Sequence, residues 1–218
     1  MASERRGRSV DTIWDLACGH GLLGIMLACR FPRKRVVCVD LEARPAFAAY
    51  RAAWERCGDL SPGWEKPLQN VEYREGDLLG VFESGEVKPG DCCVALHACN
   101  EANRDVVEGA RHAGASWAVM PCCIRTALYL PDCGLEQLPS DSRYMLLAGA
   151  FGGQYDAQIV RSIDRRITAR PILLAGGLPL GPTADCNDSA NGGRALRLES
   201  DALEVDRNSR APPLVHFP

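Results

Sequence analysis

No run of this chain is apolar for long enough to cross a bilayer, so a helical membrane span is excluded as its organising feature. A strongly basic balance is also missing. The net charge is −3, which excludes a protein that works by neutralising phosphates over its whole surface. Local patches remain open. Arg33-Lys34-Arg35 and the set Arg161, Arg165, Arg166 and Arg170 read either as solvated surface or as an RNA-facing patch. The start, MASERRGRSV, carries arginines with no apolar core behind them, so it does not read as a secretory signal, while a short organelle-targeting remnant stays open. No internal repeat is present. With no export signal, the eleven cysteines, an odd number, read as reduced thiols of an intracellular protein, the cytoplasm being the first expectation. Cys38 and Cys92 lie in apolar runs and read as small core residues.

What is present suits one α/β domain. The 218 residues are 46% hydrophobic and 24% charged, enough for one sizeable core with at most a short tail. Thr12 to Cys18 is a short apolar run ended by Gly19-His20-Gly21 and reads as a buried strand. Leu22 to Arg30, closed by Pro32, suits a helix packed on a sheet. Arg35 to Asp40 is a second strand, Arg44 to Cys57 a helix, and Pro62, Gly63 and Pro67 mark a loop. Further strands are expected at Val71–Arg74, Cys92–His97 and Trp117–Met120, with a helix over Asn103–Ala113. Leu135 to Asp141 reads as loop, Arg143 to Thr168 as mostly helix, and Ile172 to Ala175 as a sixth strand. Alternating strands and helices predict a Rossmann-like, doubly wound α/β fold. Its sheet is mostly parallel with helices on both faces, the usual last strands are not evident, and the working edge lies at the carboxyl ends of the strands. The boundaries are an N-terminal tail over 1–10, one domain over 11–177, and a weakly ordered C-terminal tail over 178–218 with at most one short strand.

The first chemistry lies in Asp15-Leu16-Ala17-Cys18-Gly19-His20-Gly21, between a strand and a helix. Glycines there admit a ligand where a Cβ would clash. The following helix offers free N–H groups and its positive end to an anionic group such as a carboxylate. Gly19, Gly21 and Gly24 also match the G-x-G-x-x-G spacing of dinucleotide readers, and a tight turn with no ligand remains a third explanation. Two acids sharpen the pattern. Asp40 ends the second strand, 19 residues after Gly21, where a carboxylate can accept from both ribose hydroxyls. Asp77 follows the third strand, where it can accept from an adenine amino group. Either acid alone reads as a turn or cap residue; three acids ending successive strands do not.

Taken together, Asp15 to Gly21, Asp40 and Asp77 resemble the first three cofactor motifs of class I S-adenosylmethionine-dependent methyltransferases, over about residues 10 to 177. The resemblance implies S-adenosylmethionine as cofactor. Asp15, Gly19 and Gly21 would serve its methionyl part, Asp40 the ribose and Asp77 the adenine, with Ala17, Cys18, Leu41 and Leu78 also at the cofactor. A finer likeness lies in Leu96-His97-Ala98-Cys99 with Asn100 to Asp105, and in Pro121-Cys122-Cys123. These resemble a eukaryotic subgroup with LHACG-x-A-T-D after strand four and PCC after strand five. The subgroup includes the methyltransferase domain joined to a glutathione-transferase-like domain. The tRNA acceptor-stem ribose methyltransferase carries related His-x-Cys and Cys-Cys signatures. Here Asn100 stands for the usual Gly, and Asn103-Arg104 for the usual Thr before Asp105. The implied acceptor is RNA, tRNA or rRNA.

His97, Cys99, Cys122 and Cys123 form the expected reactive edge. They can shape the pocket and orient an acceptor, since transfer from a sulfonium needs in-line approach more than acid–base chemistry. They can instead act as a base (His97) with a cysteine nucleophile, as in cytosine carbon-5 methyltransferases. They can bind zinc, although adjacent Cys122-Cys123 is poor chelate spacing, and no metal is the expectation. They can also be plain buried residues. His20 reads as a loop filler. The alternatives in function are a nicotinamide oxidoreductase, against which the missing Tyr/Lys or His/Asp pairing speaks, and a cofactor-binding module without turnover.

Overall fold

The strands form one seven-stranded sheet in the order β3-β2-β1-β4-β5-β7-β6 in a computed structural model that describes residues 10–58, 68–98 and 101–178. The strands are β1 (Thr12–Leu16), β2 (Arg35–Asp40), β3 (Val71–Glu75), β4 (Cys92–Leu96), β5 (Ser116–Met120), β6 (Ile159–Ser162) and β7 (Ile172–Gly176). The helices are α1 (Leu22–Arg30), α2 (Pro45–Gly58), α3 (Leu78–Glu83), α4 (Ala102–Ala113), α5 (Thr126–Tyr129) and α6 (Ser140–Gln154). The first five strands pair in parallel, while β7 runs antiparallel to both β5 and β6. The expected 1–10 tail up to residue 9, the Pro62-Gly63-Pro67 loop, Cys99 and Asn100, and the tail from 179 onward lie outside the described residues.

The strand side chains alternate between two apolar layers, as the two-residue period of a strand requires. Trp14 and Leu16 of β1, with Val37 and Val39 of β2, face one layer, which holds Val106, Val107 and Ala110 of α4 and Phe151 of α6. Ile13 of β1, with Val36 and Cys38 of β2, faces the other, against Ile25 and Ala28 of α1. Both faces are covered, so the central strands read as continuous apolar runs. α4 is the clearest amphipathic helix. It buries Asn103, Val106, Val107 and Ala110, one face at helical spacing, and ends at Gly114 in the left-handed region with Arg111 and His112 in its last turn.

The C-terminal third departs from expectation. The helix expected over Arg143–Thr168 is α6 followed by β6. At the end of α6, Ala157 N–H donates to the Gly152 carbonyl at 2.9 Å and Asp156 adopts a φ of 52°, so the chain reverses and Ile159–Ser162 can pair with β7. β6 is therefore an additional strand that completes the sheet, and the strand expected at Ile172–Ala175 forms as β7, the seventh rather than the sixth. The stretch expected as loop over Leu135–Asp141 holds a 3-10 turn at Leu135–Gln137 and the start of α6. Two short helices, α3 and α5, were not expected. β7 can sit against β5 because Gly176 lies opposite Trp117, where a Cβ would come within 2.5 Å of the indole.

Candidate active site

The loop after β1 is folded by its own backbone. Ala17, Gly19 and Gly21 have φ of 53°, 56° and 67°, so the chain turns three times in the left-handed region, which favours glycine at two of these positions. Cys18 N–H donates to the Val39 carbonyl at 3.1 Å, and Gly21 N–H donates to the Cys18 carbonyl at 2.9 Å. A Cβ on Gly19 would meet nothing within 4 Å, so this side of the loop faces open space. A Cβ on Gly21 would lie 2.6 Å from the Phe47 ring, so that glycine serves packing.

The acids divide between two tasks. Asp40, at the end of β2, is half-buried and its Oδ2 accepts from Gly19 N–H at 2.8 Å. Asp77 caps α3, its Oδ1 accepting from Leu79 N–H at 3.1 Å. Both line a cleft of about 220 Å³ at the carboxyl edge of the sheet, together with three other residues singled out in sequence, Ala17, Leu41 and Leu78. The cleft is completed by Val39, Gly76 and Ala102, which sequence reasoning missed. Val39 was hidden inside an apolar strand run. Gly76 and Ala102 carry no polar group to draw notice. Asp15 is elsewhere. It is only 1% exposed and lies under the loop, its Oδ2 accepting from Gly24 N–H at 2.8 Å. Burial pushes its pKa up to about 7, against the lowering effect of the Gly24 amide, and the charge of Asp40 raises it further. The residue ties α1 to β1 and does not wall the cleft.

The second group lies at the ends of β4 and β5. His97 follows β4 with a φ of 54° and an exposed ring, and its N–H donates to the Met120 carbonyl at 3.1 Å. Pro121, which follows Met120, is buried. Cys122 Sγ lies 3.8 Å from the His97 carbonyl and 3.6 Å from Cys123 Sγ. His97, Cys122 and Cys123 are therefore brought together, with Cys122 half-buried and Cys123 exposed. His20 is exposed near the Tyr50 ring, apart from this group.

The profile of a family described as "Methyltransferase domain" matches residues 1–127. The chain belongs to this methyltransferase family. Its cofactor is accordingly S-adenosylmethionine, and the nicotinamide reading of the glycine spacing falls away. The residues present fit the group. Gly19 leaves open space, and the Asp40 and Asp77 carboxylates stand on one cleft wall with apolar Leu41 and Leu78 beside them. The methyltransferase domain is 32% identical over 116 residues to the glutathione S-transferase C-terminal domain-containing protein of Xenopus laevis, across 52% of this chain and 16% of that protein. The Bos taurus protein of the same description is 32% identical over 113 residues, again covering 16% of its length. The chain thus spans a small part of the curated relatives it matches. Among solved structures, the aminoglycoside resistance methyltransferase NpmB1 superposes with a TM-score of 0.45 at 16% identity, over 77% of this chain and 88% of that one. A chain of a fibrillarin/Nop5p complex does so with a TM-score of 0.49 at 9% identity, over 80% and 75%.

Proposed function

We propose that this methyltransferase domain methylates RNA, and that His97, Cys122 and Cys123 orient the acceptor without bonding to it. The observation that carries the reading is the edge where the His97 carbonyl and the two thiols meet, built from the Leu96-His97-Ala98-Cys99 and Pro121-Cys122-Cys123 motifs. Those motifs resemble a subgroup related to a tRNA ribose methyltransferase. Basic charge does not carry it. Arg165 and Arg170 share Asp141, and Arg166 pairs with Asp164, so two acids offset part of the charge of these three arginines at the surface.

The cofactor supplies an electrophilic methyl on a sulfonium. The chain's own residues bind and orient. The left-handed loop and the start of α1 present N–H groups and the positive helix end to an anionic carboxylate. Asp40, with Oδ2 on Gly19 N–H, offers its other oxygen to the ribose hydroxyls. Asp77, with Oδ1 on Leu79 N–H, offers its other oxygen to the adenine amine. Cys99 belongs with this edge as an acceptor-lining residue by its place in the motif. Methyl transfer needs the acceptor atom held in line, which a rigid wall provides. The left-handed His97 and buried Pro121 make such a wall.

The test is methyl-labelled cofactor supplied to total RNA and to protein extract in parallel. RNase-sensitive label is expected; protease-sensitive label would overturn the RNA reading, and tight cofactor binding with no label in any fraction would favour a module without turnover. Cys122→Ser and Cys123→Ser are expected to keep turnover within about tenfold of the parent. A thiolate nucleophile would lose it altogether, since a hydroxyl is far less nucleophilic at neutral pH. A covalent adduct trapped on either cysteine with a fluorinated pyrimidine RNA would sink the positioning role.

A further inference from the structure

We infer that Asp15, Cys18 and Cys38 form a binding site for a thiophilic divalent cation, zinc by its chemistry, beneath the glycine loop and apart from the acceptor edge. Among the described residues these three offer one ligand atom each, all within 4.8 Å of one another. A tetrahedral zinc site with Zn–S of about 2.3 Å and Zn–O of about 2.1 Å sets sulfur–sulfur edges near ~3.8 Å and sulfur–oxygen edges near ~3.6 Å. Cys38 Sγ stands 4.0 Å from Asp15 Oδ2, so closure about a cation moves that pair by only a few tenths of an ångström. Cys18 Sγ lies within 4.8 Å of both, and rotation of its side chain on a fixed backbone makes the remaining adjustment.

The backbone holds all three ligands in place before any ion arrives. Asp15 and Cys38 are direct partners in the β1–β2 register and so face the same side of the sheet. Cys18 is turned back over them by the left-handed Ala17 and anchored by its N–H to the Val39 carbonyl. The Gly24 N–H orients the Asp15 carboxylate, the part an outer hydrogen bond plays around metal ligands. α1 can come this close to the two ligands only because a side chain is missing. A Cβ on Gly24 would lie 2.1 Å from Cys38 Sγ and 3.2 Å from Asp15 Oδ2.

Charge argues the same way. Asp15 is 1% exposed, and among the described residues no lysine, arginine or histidine forms a salt bridge with it. A buried carboxylate without a counter-charge is costly, and a divalent ion beside it removes that cost. Two thiolates, one carboxylate and one dication sum to one negative charge, which the positive end of α1 stabilises. Cys18 is half-buried, so the fourth position is left to water. An ion here would staple the glycine loop to β1 and β2, one residue from the Gly19 N–H that meets Asp40.

The test uses the full chain, reduced and stripped of metal, titrated with cobalt(II) alone. The expected result is a thiolate-to-cobalt charge-transfer band saturating at one equivalent and displaced by zinc. Cys18 and Cys38 should resist alkylation in the zinc-loaded protein, whereas Cys123 should not. The band should be lost in Cys38→Ala and, should that buried variant fail to fold, in Cys18→Ser. It should survive in the Cys122→Ser/Cys123→Ser double variant. Absence of the band in the parent protein overturns the inference. So does a band that depends on Cys122 and Cys123, or a Cys18–Cys38 cross-link that persists in protein purified under reductant.

Discussion

Asp40 and Asp91 show two uses of one carboxylate at opposite ends of the sheet. At the cleft, Asp40 gives one oxygen to the loop through Gly19 N–H, and in the role proposed above the other goes to the cofactor ribose. Asp40→Ala removes two hydrogen bonds to a charged group and should weaken S-adenosylmethionine binding by roughly 2–4 kcal/mol, about 30- to 1,000-fold. Calorimetric titration of the folded variant checks this, and an unchanged affinity refutes the assignment. At the far edge, Asp91 is buried and accepts from Thr12 N–H at 3.0 Å, Trp14 Nε1–H at 3.1 Å and Lys88 N–H at 2.9 Å. Asp91→Ala leaves those donors without an acceptor, at about 1–3 kcal/mol for each that stays dry. Urea unfolding should register a loss of at least ~2 kcal/mol, while cofactor affinity in the folded fraction stays the same. A loss below ~1 kcal/mol would mean that water replaces the carboxylate. Asp91 follows Pro89-Gly90 in the chain, and its partners Thr12 and Trp14 lie 79 and 77 residues away, so nothing local marks it as a clamp.

Among the elements, the place of β7 depends on a missing atom group at Gly176. Glycine ordinarily weakens a strand, so Gly176→Ala would be expected to help. Here the added Cβ would come within 2.5 Å of Trp117, a fully buried ring. Overpacking of a filled core costs about 1–3 kcal/mol and outweighs the gain in strand propensity. Gly176→Ala should therefore lower stability in denaturant by that amount, and a stabilised variant would show that the indole moves aside freely. α1 presents the same logic at Gly24, which approaches β2 more closely than any side chain allows.

On the scale of the whole molecule, cofactor binding is linked to folding. The cleft proposed for S-adenosylmethionine draws on β2, α3, α4 and the turns after β1 and β3, which come together only in the folded sheet, so binding there requires the native state. At a hundred times its Kd it should add about 2.7 kcal/mol of stability. For a domain of this size that is an upward shift of roughly 5–10 °C in Tm. A thermal scan with S-adenosylmethionine, and with NAD at the same concentration, distinguishes the two; an equal shift with NAD would refute the cofactor assignment.

Local sequence alone carries the alternation of strands and helices through Met120, α3 excepted. Apolar runs, glycine turns and helical spacing are local signals, and α1 and β2 were legible to the residue. It also placed Asp40 and Asp77 at strand ends, because a polar residue closing an apolar run marks where a strand leaves the core. Tertiary structure decided the rest. Only the β1–β2 register puts Asp15 beside Cys38 and under Gly24, away from the cleft that Asp40 enters. Only the sheet order brings Met120 to the His97 amide, and with it Cys122 to the His97 carbonyl. β6 was missed, and β7, expected in its place along the chain, was therefore counted as sixth, because strand pairing joins residues far apart in the chain. Ile159–Ser162 lies exposed on the edge, so its own burial leaves no alternating pattern to read. Pairing partners, register and the room left by absent side chains are properties of the packed sheet, and no local window contains them.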